Sequence, residues 1–126
     1  MKEIEIVSTE NAPKAIGPYS QAVKANGFLF LSGQIPLDKD TNLIVGDTIE
    51  AQAEQVIKNI NAILSSQGLG FESVVKTTCF LSDMADFSKF NSVYEKYFIS
   101  KPARSLVAVK TLPKNVLVEI EVIALK

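Results

Sequence analysis

The closing segment "VLVEIEVIAL", residues 116–125, constrains the fold more than any other stretch of the chain. Strand alternation places Val116, Val118, Ile120, Val122 and Ala124 on one face and Leu117, Glu119, Glu121, Ile123 and Leu125 on the other. Both faces are mainly apolar, so both need cover. Upstream, Ile49, Ala53, Val56, Ile57, Ile60, Ile63 and Leu64 recur at helical spacing. Asp47 and Glu50 before them fit a capping pattern, and Gly68 is a stop. A second helix is marked by Phe87, Phe90, Tyr94, Tyr97 and Phe98 and ends before Pro102. Both stripes read as core.

The other segments read as strands. "KEIEIVS" alternates, "SQAVKANGFLFLSG" splits into a hairpin at Asn26-Gly27, and "SVVKTTCFLSD" and "PARSLVAVK" complete the set. The expected fold is therefore α+β: a single sheet with two helices packed on one face, in one domain over residues 1–126. At 126 residues and 47% hydrophobic content the chain is long enough to bury a real core. Two helices of this length cannot cover both sides of the sheet. The chain is accordingly expected to form a homo-oligomer of closed symmetry, with sheets facing each other. The blander alternative leaves the glutamate face solvated and its leucines as tolerated exposures.

Carboxylates buried on that second face would need partners, because an unpaired buried charge costs several kcal/mol. In "PARSLVAVK", alternation groups the small set Ala103, Ser105, Val107 and Val109, suited to the core, against Arg104, Leu106, Ala108 and Lys110. Arg104 then has two open readings: a structural salt bridge to a glutamate, or a planar fork offered to a ligand carboxylate. Glu121 reads as structural, paired with Lys110 or with a neighbouring copy.

Composition narrows the chemistry. A net charge of −1 with scattered basic residues gives no expectation of a nucleic-acid partner. The absence of histidine and the single Cys79 remove the usual zinc and copper ligand sets and any internal disulfide, so metal-free chemistry is expected. Cys79, mid-strand, reads as a small core hydrophobe. No signal-type segment and no apolar run near ~20 residues occurs, so the expected location is cytoplasmic, away from membranes.

The segments "APKAIGPYSQAV", "FLSGQIPLD", "VVKTTCFLSDMADFSKFNSVYEKYF", "PARS" and "LPKNVLVEIEVIAL" resemble the RidA (YjgF/YER057c/UK114) family, collinearly from about Asn11 to Leu125. The resemblance implies a chorismate-mutase-like fold assembled as a homotrimer with clefts between subunits. It also implies hydrolysis of reactive 2-imino acids such as 2-iminobutanoate and 2-iminopropanoate to 2-keto acids and ammonia. On the matching positions, Arg104 would bind the substrate carboxylate, Glu119 would position the attacking water, and Tyr19 would supply a hydroxyl at the cleft. Ser32 and Gly33 match a ligand-contacting loop, and Asn91 an asparagine near the site. An iminium carbon is already electrophilic, so positioning outweighs activation and no cofactor is needed. One departure stands out: Leu106 occupies a position that is often cysteine in the family. The alternative reading is a trimeric small-carboxylate-binding regulatory or chaperone-like protein without turnover. A sensor needs the arginine, whereas only a hydrolase needs the water-positioning carboxylate. A ribonuclease reading is disfavoured by the lack of histidine and of a basic patch.

Overall fold

The computed structural model describes residues 3–126. In chain order the elements are β1 (Ile4–Val7), β2 (Ala22–Ala25), β3 (Phe28–Gln34), α1 (Ile49–Ser66), β4 (Val74–Leu81), α2 (Phe87–Tyr97), β5 (Ala103–Ala108) and β6 (Val118–Leu125). Lys2, in the predicted opening strand, lies outside the described residues. The six strands form one sheet in the order β1-β2-β3-β6-β4-β5. All neighbours are antiparallel except β4 and β5, whose parallel pairing uses α2 as the crossover. The fold is the expected mixed α+β arrangement of one sheet and two helices.

Local chemistry explains the boundaries. Asn26 and Gly27 take φ of 52° and 81°, the left-handed pair that a tight two-residue hairpin requires. Helix α1 is capped by Thr48, whose hydroxyl oxygen accepts the Ala51 N–H at 3.2 Å. This corrects the Asp47–Glu50 pattern: the chain stays extended through Thr48, so the cap falls one residue later. Gly68, at φ 71°, donates to the Ser65 carbonyl, and Leu69 donates to that of Leu64, which closes the helix as expected.

Every residue of the isoleucine-rich stripe is buried, as are Val118, Ile120, Val122 and Ala124 of β6 above which α1 lies. Burial of each large side chain is worth roughly 1.5–3 kcal/mol. Gln52 and Asn59 are buried among them and had no sequence signal. Gln52 accepts the Leu117 N–H at 2.8 Å and donates to the Gly46 carbonyl, while Asn59 donates to the carbonyls of Ile35 and Leu37. The bonds to Gly46, Ile35 and Leu37 fasten the loop after β3 onto α1, and the one from Leu117 ties the entry to β6 to the same helix.

The opposite sheet face is uncovered. A row of Ile6, Val23, Phe30 and Ile123 crosses from β1 to β6, with Ile6 74% and Phe30 42% exposed. Glu119 and Glu121 lie on this face, as the alternation of β6 requires. For β5 the expected faces are reversed. Arg104 and Leu106 lie on the helix side, Leu106 against the core, and Ala103, Ser105 and Val107 are exposed. The reason is that α2 offers Arg104 an aromatic surface and an amide acceptor.

Candidate active site

Two groups of predicted residues form two separate sites. The first is built on an irregularity in β3. Leu31 pairs with Val122 but Gln34 with Ile120, so Ser32 and Gly33 together stand against the single residue Glu121. This is a β-bulge, the device that re-aims strand residues. A Cβ on Gly33 would lie 2.2 Å from Oε2 of Glu119, so glycine is what leaves room for that carboxylate. Glu119 is half-buried and makes no hydrogen bond or ion pair among the described residues. Burial first, and the charge of Glu121 second, push its carboxyl above the usual range. Tyr19 and Gly33 line one small recess together with Gln21 and Gln34, and Tyr19 is 53% exposed. The Ser32 hydroxyl donates to the Ser20 carbonyl at 2.6 Å, so it fastens the Tyr19 segment to the bulge.

The second group surrounds Arg104 at the sheet edge. Its Nη1 donates to Oδ1 of Asn91 at 2.7 Å, and its guanidinium carbon sits 4.8 Å from the Tyr94 ring centre and 5.9 Å from that of Phe87. Asn91 therefore touches the arginine, a role beyond the predicted ligand contact. The guanidinium opens onto a cavity of about 320 Å³ lined also by Glu95, Lys101 and Pro102. The ion pairs among the described residues are Lys24–Glu5, Lys39–Asp40 and Lys96–Glu54, and none involves Arg104, Lys110 or Glu121. Of the two open readings of Arg104, a salt bridge to a glutamate is not formed among the described residues of the chain. The register shows why: Arg104 stands opposite Thr77 on β4, and Glu119 opposite Phe80. An offset of three along one strand puts the two on opposite faces of the sheet.

Cys79 is fully buried and its thiol is pushed up to about 11, chiefly by burial, in keeping with a core hydrophobe. Leu106 pairs with Cys79 and shares the face of Arg104. Among the described residues no group of three His, Cys, Asp or Glu side chains is placed to hold a metal ion, and no helix is long and apolar enough to cross a membrane.

Fold and site together define a class: small α+β proteins that display a half-buried carboxylate on one sheet face and an arginine held by an amide and aromatic rings on the other. Comparison with known proteins makes this specific. The family described as Endoribonuclease L-PSP matches residues 9–126. A RutC family protein of Pyrococcus horikoshii is 56% identical over 123 residues, covering 97% of this chain and 98% of its own. Reactive Intermediate Deaminase A, chloroplastic, of Arabidopsis thaliana is 52% identical over 121 residues, covering 95% of this chain and 65% of its own. Among solved structures, E. coli TdcF with bound serine matches with a TM-score of 0.91 and 40% identity, covering 97% of this chain and 98% of that one. The chain belongs to this family, the RidA (YjgF) family whose members include reactive intermediate deaminases.

Proposed function

We propose that the protein hydrolyses small 2-imino acids, such as 2-iminobutanoate and 2-iminopropanoate, to 2-keto acids and ammonia, in clefts between the subunits of a homotrimer. The observation that carries this reading is the half-buried Arg104 guanidinium, held by an amide and aromatic rings and lacking a carboxylate partner among the described residues. Such a group keeps donors free for a bidentate carboxylate. The name of the Arabidopsis relative and the amino acid bound to TdcF support a substrate of this kind.

Arg104 and Glu119 cannot meet within one chain, so a second copy completes the site, and the uncovered apolar sheet face supplies the surface for association. Arg104 of one subunit holds the substrate carboxylate. Glu119 of the next accepts a proton from water as the water oxygen bonds to the iminium carbon and the C=N π pair moves to nitrogen. The same carboxyl returns that proton to the amine of the carbinolamine. Collapse to the C=O bond then releases ammonia, which takes up the hydroxyl proton as ammonium. Tyr19, beside Gly33, faces the departing nitrogen from the cleft wall. A positioned base of this kind contributes about 10²–10⁴-fold.

The test is keto-acid release from imines generated in situ by threonine dehydratase or an amino-acid oxidase. Wild type accelerates release. Arg104→Ala lowers kcat/KM by roughly ten- to hundredfold through binding, and Glu119→Gln lowers kcat by about 10²–10⁴-fold while still binding keto acid. No acceleration by a folded, assembled wild type that nevertheless binds keto acids would replace hydrolysis with the regulatory reading.

A further inference from the structure

Tyr94 belongs to the aromatic stripe of α2, and burial to 8% exposure alone would make it one more core residue. Its surroundings say more. Thr77 and Arg104 face each other on the parallel strands β4 and β5. The Arg104 side chain extends over the Tyr94 ring, and the Tyr94 hydroxyl comes back to the Thr77 hydroxyl at 2.8 Å, a buried bond. The circuit closes on itself. Behind the ring, Phe98 stacks with its centre 4.4 Å away and its plane tilted by 25°. The Tyr94 ring is thus fixed at its hydroxyl end by Thr77 and against its neighbour by Phe98.

A half-buried guanidinium needs compensation for lost hydration. A carboxylate would supply it but would also occupy the fork and cancel the charge that a ligand needs. A π-face supplies part of it without consuming a single N–H donor. Asn91 takes one hydrogen of Nη1, which sets the rotation of the guanidinium plane. Building on the proposed carboxylate-binding role of Arg104, we infer that Tyr94 is a positioning residue for the substrate, its ring presenting the Arg104 fork to the carboxylate and the Thr77 hydroxyl locking that ring in place. Tyr94 touches the arginine and not the reacting atoms, so its contribution falls on binding rather than on the chemical step.

The experiment compares wild type, Tyr94→Phe, Tyr94→Leu and Thr77→Val, each checked for assembly, by calorimetric Kd for 2-oxobutanoate together with KM and kcat for imine hydrolysis. Tyr94→Leu raises Kd and KM by roughly two- to thirty-fold with kcat little changed. Tyr94→Phe and Thr77→Val keep the π-face but both lose the bond between the two hydroxyls, so both fall between wild type and Tyr94→Leu. Wild-type Kd in an assembled Tyr94→Leu, or equal impairment in Tyr94→Phe, overturns the inference while leaving the function intact. If Tyr94→Leu does not assemble, the NMR shifts of the Arg104 side-chain N–H groups in wild type decide: displacement by the ring current, reduced in Thr77→Val, supports the arrangement, and shifts of a free arginine overturn it. A wild type that neither binds 2-oxobutanoate nor hydrolyses imines, with those displaced shifts present, removes the functional reading and the inference with it.

Discussion

At Glu119, burial and the neighbouring charge of Glu121 act in the same direction, and both hold the proton on. In the proposed role of water activator, Glu119 works only when ionised, so its raised pKa would set the acid limb of the rate profile. Removing the Glu121 charge removes one of the two causes and lowers the Glu119 pKa. In Glu121→Gln, the acid limb of kcat/KM therefore moves to lower pH with the plateau rate nearly unchanged, as a pH–rate series will show. An unmoved limb would mean that burial alone sets the value or that another group titrates. The face of Glu119 was legible from alternation in "VEIE", because β6 is regular where it lies, whereas its choice over Glu121 came from the family resemblance. Arg104 was legible as a residue of interest but not as to its face. Apart from its basic residues, each residue set of β5 mixes small and apolar side chains, and the deciding partners, Asn91 and Tyr94, come from α2 across a crossover. Periodicity carries no information about that contact.

Among the elements, the bulge in β3 is the one on which the carboxylate site depends. Gly33→Ala would drive a methyl group into the Glu119 carboxylate, 2.2 Å from Oε2. That carboxylate is the end of a flexible side chain, so it swings aside and stability changes by less than about 1 kcal/mol. Activity does not escape, since a displacement near 1 Å in a positioned group costs on the order of a hundredfold. Thermal unfolding and kcat of Gly33→Ala together check this split, and a large loss of Tm with normal kcat would contradict it. The hairpin turn and the Gly68 stop were readable because their chemistry is local. The bulge was not, since it exists only in the register between β3 and β6, distant in sequence. The α1 cap was misplaced by one residue because Asp47 and Thr48 are adjacent and both are good capping types.

For the whole molecule, the sheet order inserts β6 between β3 and β4, which no strand pattern announces, yet the excess of apolar sheet surface over helical cover was readable from β6 and the helix lengths. That surplus and the separation of Arg104 from Glu119 lead to one claim: the active site is assembled from two copies of the chain. Co-assembly of Arg104→Ala with Glu119→Ala subunits tests it most directly. Each variant alone is strongly impaired, by roughly ten- to hundredfold or more. In randomly mixed equimolar assemblies, such as the proposed trimer, about a quarter of the clefts would join an intact Arg104 from one subunit to an intact Glu119 from the next, restoring about a quarter of the wild-type rate of imine hydrolysis. Mixed assemblies, verified by mass, that remain as impaired as the separate variants would contradict the shared site.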